Sequence, residues 1–168
     1  MERIQGFAPL VGNHPRLLIL GSVPSVASLA KHQYYGKQQN AFWRIMGALF
    51  AAGPEHPYDE RAALLTAAGV AVWDVLASCV RPGSLDSAIQ MNTAEVNDFS
   101  AFFAAHPTIT NVFFNGRKAE EVFRKRVLPD IAAELPHIVY ACLPSTSPAM
   151  ASLSFAEKLA RWRIVSQA

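Results

Sequence analysis

Two segments of the chain gather aromatic, amide, hydroxyl and basic side chains among glycines and prolines. The first runs from Gly21-Ser22-Val23-Pro24-Ser25 through Tyr34-Tyr35-Gly36-Lys37-Gln38-Gln39-Asn40. Tyrosine rings give a flat heterocycle a surface to stack on, and amide side chains give its edge a donor and an acceptor. The second segment is Leu143-Pro144-Ser145-Thr146-Ser147-Pro148-Ala149-Met150-Ala151. Its prolines stiffen a turn rich in hydroxyls and backbone amides, groups suited to hold a phosphate or a sugar. No Ser, His and Asp are spaced as a nucleophilic triad, and His32, the one histidine in either segment, reads as solvated. Cys79 and Cys142 stand apart, without a CxxC or a neighbouring His pair, so both read as buried free thiols. Neither a metal, an iron–sulfur cluster nor another cofactor is expected.

The elements that would carry these segments alternate. Leu17-Leu18-Ile19-Leu20-Gly21 is a continuous apolar run ending in glycine, as in a strand buried on both faces. Phe42, Ile45, Met46, Leu49 and Phe50 recur at helical spacing, which predicts a helix over 40–52 closed by Gly53-Pro54. A helix over 59–68 and a strand over 70–75 follow. Asn92 and Glu95 have capping-box spacing, which predicts a helix presenting Val96, Phe99 and Phe103 on one face. A third strand spans 111–116, a helix 117–127 and a fourth strand 138–143. A second capping box, Ser154 with Glu157, opens a last helix with Phe155, Leu159 and Trp162 inward. The expected fold is α/β, a three-layer α/β/α sandwich around a four-stranded parallel sheet. In such folds ligands bind at the carboxyl ends of the strands: after Gly21, near Asp74, after Asn115 and after Leu143. The first connection, roughly 20 residues long, far exceeds the usual 2–6, as functional loops do; an insertion that merely packs is the other reading.

With 168 residues, 51% hydrophobic and 17% charged, the chain reads as one globular domain over 1–168. No apolar stretch has the roughly 20 residues of a membrane span, and the N-terminus lacks a signal-peptide layout, so a cytoplasmic protein without a membrane partner is expected. The net charge of +2 conceals an uneven distribution. Residues 1–50 carry five basic residues against one acid, 51–110 two against seven, and 111–168 eight against five. Two basic end segments brought together would hold a polyanion; ordinary surface scatter is the alternative.

Taken together, the two segments resemble the signature motifs of the uracil-DNA glycosylase superfamily. Gly21-Ser22-Val23-Pro24-Ser25 is similar to its first motif, Gly-x-x-Pro-Gly. Tyr35 and then Asn40-Ala41-Phe42-Trp43 follow at the distance seen in the mismatch-specific branch. Ser145-Thr146-Ser147-Pro148-Ala149-Met150 resembles the second motif, and Gly69-Val70-Ala71-Val72-Trp73-Asp74 the strand ending in a base-reading residue. The resemblance spans Leu17 to Trp162 and is nearest to the hypoxanthine-DNA glycosylase branch. Two positions depart from the pattern. Val23 stands where many members carry an Asn, Asp or Glu that positions water, which makes efficient uracil excision by the usual route unexpected. Ser25 replaces the last motif glycine.

The resemblance implies a monofunctional DNA N-glycosylase, read here as a monomer, acting on DNA that contains deaminated bases. Such bases leave well because a carbonyl oxygen takes the developing charge, and hypoxanthine and uracil share an edge of carbonyl beside ring N–H. It further implies catalytic roles for Asn40, orienting water or the leaving base, and for Asp74, accepting from the ring N–H. Asn40 is equally well placed to cap its helix. Gly21, Ser22, Val23, Pro24 and Tyr35 complete the base site, with Tyr35 stacking on the base and backbone amides near Ser22 and Val23 facing the leaving oxygen. Tyr34, Phe42 and Trp43 are read as structural. Ser25, Ser145, Thr146, Ser147 and Pro148 would grip the DNA backbone, and Ala149 and Met150 would enter the vacated stack. Lys37, Arg117 and Lys118 would neutralise phosphates, or are plain surface charges. A non-catalytic DNA-binding module and a small-molecule hydrolase using the same crevice are the competing readings.

Overall fold

The computed structural model describes residues 2–168. Four parallel strands, β2 (Leu17–Gly21), β3 (Val70–Asp74), β6 (Asn111–Asn115) and β7 (Val139–Leu143), form a sheet in the order β3-β2-β6-β7. Every residue of β2 and β3 is buried: β2 lies between β3 and β6, and Leu10 pairs with Val72 along the outer side of β3. β7, at the edge opposite β3, departs from the expected burial: Val139 and Cys142 are exposed, so Cys142 is not the buried thiol its type had indicated, whereas Cys79 is.

The helices are α1 (Val26–Lys31), α2 (Phe42–Phe50), α3 (Tyr58–Ala67), α4 (Phe99–Ala105), α5 (Arg117–Arg126), α6 (Leu128–Ile131) and α7 (Phe155–Trp162). The predicted helices over 40–52, 59–68 and 117–127 are found within one or two residues at each end, and the Ser154–Glu157 capping box opens α7. Trp162 is fully buried as expected, but Phe155 is turned outward beneath the Arg44 guanidinium, 4.6 Å from its ring centre. The first connection is not all loop. Ser25 accepts a hydrogen bond from Ser28 N–H and thereby starts α1.

A second, antiparallel sheet was not foreseen. β1 (Arg3–Gln5), β4 (Leu76–Val80) and β5 (Gln90–Val96) pair in the order β1-β4-β5. The Asn92–Glu95 spacing therefore does not open a helix: these residues lie in β5, where Glu95 accepts from the Ser78 hydroxyl of β4. α4 begins later, with Asp98 as its cap. Local capping spacing lost here to cross-strand pairing, which only a partner strand distant in sequence could provide. Val75, expected to end β3, instead turns the chain out of the parallel sheet, its N–H bonded to Gly21 C=O. From there the chain enters β4, whose far end delivers residues 81–88 back to the carboxyl edge of the parallel sheet.

Candidate active site

The carboxyl ends of β2, β3 and β6 open into one cavity of about 390 Å³, within the size range of small-molecule sites. Gly21, Asp74 and Asn115, the last residues of those strands, form its floor. Ser22, Val23, Pro24, Ser25, Tyr35 and Asn40 line one side, and Ser145, Thr146, Ser147, Ala149 and Met150 another. The two candidate segments thus share one crevice. A backbone hydrogen bond joins them directly, from Ala41 N–H to Thr146 C=O at 3.0 Å.

The floor holds the least satisfied polar groups of the site. Asp74 is 5% exposed, and its Oδ2 has no hydrogen-bond partner. Burial, reinforced by the charge of Asp86 and opposed by Arg81, raises its carboxyl to about 7, so neutral and ionised forms coexist near neutral pH. The Tyr35 hydroxyl is likewise buried without a partner. Burial and then Asp74 push it above its ordinary range. Unpaired groups this deep are rare in folded proteins, and a ligand is one standing explanation. One face of the Tyr35 ring is occupied by Phe42, stacked at 4.0 Å between centroids, which fixes the ring and leaves the remaining surface to the cavity. Tyr34 also borders the cavity, with its hydroxyl donating to Ala8 C=O at 2.8 Å.

Asn40 lines the crevice just before Ala41, the N-cap of α2. Its Oδ1 accepts from Phe42 N–H at 2.9 Å, just where α2 begins, so the side-chain NH₂ is the end left for a ligand. That geometry makes Asn40 a donor in the cavity. Asn115 was not singled out from the sequence. Its amide pairs twice with Thr146, Nδ2 donating to Oγ1 and Oδ1 accepting from the backbone N–H, both at 2.9 Å. Gly116, at φ 97°, lets the chain pass Ser145, whose Cβ would lie 3.1 Å from a side chain at that position. Further anchors come from α7: Lys158 Nζ donates to Ser147 C=O and Trp162 Nε1 to Pro144 C=O.

Ser84, Leu85, Asp86 and Ser87, in the connection between β4 and β5, form a wall no motif had indicated. Arg81 Nη2 donates to Pro24 C=O, Val26 N–H to Ser84 Oγ, and Ser22 Oγ to Asp86 Oδ1. Lys37, Arg117 and Pro148 are exposed and lie outside the cavity lining. Lys118 instead borders a separate depression of about 150 Å³ with Met91, Glu121 and Arg126. Among the described residues no group of three or more His, Cys, Asp or Glu side chains could hold a metal ion, and no helix is long and apolar enough to cross a membrane.

The sequence pattern of the uracil DNA glycosylase superfamily matches residues 9–165. The chain is 36% identical over 118 residues to a hypoxanthine DNA glycosylase of Methanosarcina barkeri, covering 70% of this chain and 73% of that protein. To a hypoxanthine DNA glycosylase of Methanosarcina acetivorans it is 37% identical over 118 residues, with the same coverage. The solution NMR structure of an M. acetivorans protein described as a uracil DNA glycosylase superposes with a TM-score of 0.77 at 32% identity, over 98% of this chain and 99% of that one. That structure and this one share the parallel-sheet architecture around which the cavity is built. The chain belongs to the uracil DNA glycosylase superfamily, enzymes that hydrolyse the N-glycosyl bonds of DNA bases.

Proposed function

We propose that this enzyme releases a deaminated base, hypoxanthine foremost, from a nucleotide turned out of a DNA duplex, leaving an abasic site for excision repair. The reading is carried by the one cavity that both motif segments line, with Asp74 Oδ2 and the Tyr35 hydroxyl unpaired at its floor. The relatives named hypoxanthine DNA glycosylases support the choice of base. A lactam edge presents a carbonyl beside an N–H. Neutral Asp74 both donates and accepts and can meet both atoms; ionised, it can meet only the N–H. The Asn40 NH₂ donates to the oxygen or ring nitrogen on which negative charge collects as the glycosidic bond breaks. Tyr35, braced by Phe42, stacks against the base, and the Ser145–Ser147 turn holds the backbone beside it. Met150, half-buried at the cavity's edge, fills the gap left in the duplex.

The test is incubation with labelled duplexes containing inosine, uracil, xanthine or no lesion, followed by alkali to cut abasic strands. Cleavage at inosine is the expected result, and Asn40→Ala should slow single-turnover release by about 10²-fold or more while duplex binding persists. Binding of inosine duplex without any cleavage would make the protein a recognition module instead.

A further inference from the structure

Breaking the glycosidic bond by hydrolysis requires a water held against the sugar carbon, and Val23, one of the first-motif residues lining the cavity, has no polar side-chain atom to hold it. Two carboxyl groups line the cavity. Asp74 is sealed in the floor, where burial favours its neutral form, and its Oδ2 has no hydrogen-bond partner. Asp86 is placed differently. It opens a short 3₁₀ turn, Asp86–Ala88, in the connection from β4 to β5, and its side chain is exposed on the cavity wall. Ser22 Oγ, adjacent in sequence to Val23, donates to Asp86 Oδ1 at 2.6 Å. No other hydrogen bond involves the Asp86 side chain among the described residues, so one oxygen is bonded to the first motif and the other has no protein partner, in an exposed residue that lines the cavity.

The wall is also tied to the first-motif segment by hydrogen bonds. Its three ties to the first-motif segment, Arg81 to Pro24 at 2.8 Å, Val26 to Ser84 at 3.0 Å and Ser22 to Asp86, bring a carboxylate from a distant loop beside the residue whose own side chain supplies none. Preorganisation of this kind is what positions a catalytic group without reorganisation during the reaction.

We infer that Asp86 is the catalytic residue that positions the attacking water and accepts its proton, in place of the polar group absent at Val23. Asp86 Oδ2 takes one proton as the water oxygen bonds to the anomeric carbon. The bond from that carbon to the base nitrogen breaks, and its electron pair departs with the base, toward the Asn40 donor. The base then takes a proton from solvent, and Asp86 returns its own to solvent, so the products are free base and an abasic sugar.

This assignment rests on the proposed glycosylase activity, and its test separates the two. Asp86→Asn keeps an acceptor for Ser22 but cannot take a proton. Single-turnover release of hypoxanthine by the full chain should fall by about 10²–10⁴-fold, with inosine-duplex affinity and thermal midpoint unchanged. In Asp86→Ala, added formate should restore part of the lost rate, which a purely structural latch would not allow. Wild-type release together with an Asp86→Asn rate equal to wild type, or an Asp86→Ala variant indifferent to formate, overturns the role of Asp86 alone. A wild type that releases no base from any duplex overturns both readings.

Discussion

A methyl group added at Gly21 would sit 2.6 Å from Asp74 Oδ1 and 2.9 Å from the Tyr35 hydroxyl, closer than side-chain carbons approach other atoms in real structures. Neither neighbour yields easily, since Asp74 ends a fully buried strand and Tyr35 is stacked on Phe42. Gly21→Ala is therefore expected to lower stability by about 1–3 kcal/mol, as overpacking does. It should also displace the two unpaired groups to which base recognition is assigned in the proposed function. The measurement is a pair: denaturant midpoint against apparent affinity for an inosine duplex, with the affinity loss expected to exceed the loss on an undamaged duplex. Equal losses on both duplexes would remove Asp74 and Tyr35 from base recognition. At this scale Tyr35, Asn40 and Asp74 were legible because they occupy motif positions in the chain. Asp86 was not, being one of seven acids in residues 51–110 with no local pattern to distinguish it.

Among the elements, the turn after β7 depends on its neighbours. Asn115, at the end of β6, supplies both partners of Thr146, which is 1% exposed. Asn115→Ala leaves the Thr146 N–H and hydroxyl without their partner, at about 1–3 kcal/mol for each buried group left unpaired. Urea unfolding should show that loss, and duplex binding should weaken with it because the Ser145–Ser147 turn is no longer tied to the sheet. An unchanged unfolding midpoint would mean that the turn is held by its remaining ties, Lys158 and Trp162 of α7 and the Ala41 N–H. The four parallel strands were readable as apolar runs, and α2, α3, α5 and α7 as periodic segments. The β1-β4-β5 sheet was not, since its strands are short, partly polar and paired across long separations.

For the molecule as a whole, Asp74 couples the site to stability. Its carboxyl is raised from 3.8 to about 7 by burial, so the folded protein binds this proton more tightly than the unfolded chain. The proton's contribution is fully present below about pH 4, is lost as pH rises toward about 7, and stays absent above that. A shift of this size corresponds to a few kcal/mol, at roughly 1.4 kcal/mol per pH unit. Urea unfolding of wild type and Asp74→Asn across this range should show the wild type losing stability relative to the variant as pH rises, with the difference levelling off above neutrality. Parallel pH profiles would show that the floor carboxyl is hydrated and ordinary. An enzyme that keeps a buried acid unpaired accepts this loss of stability at its site, a common cost of function.

Composition and apolar runs determined on their own that this is an α/β chain with ligand chemistry at the strand ends, and the resemblance of its two segments to the superfamily's motifs pointed to a base in DNA. Those signals are local: a strand buried on both faces must be apolar throughout, and a motif keeps its spacing wherever the chain folds. Only the tertiary structure decided that the 81–88 connection closes the cavity, that Asp86 meets Ser22, and that Asn115 grips Thr146. Each of these joins residues 31 to 64 positions apart, and such contacts arise from sheet pairing and chain crossover rather than from the residues near them in sequence.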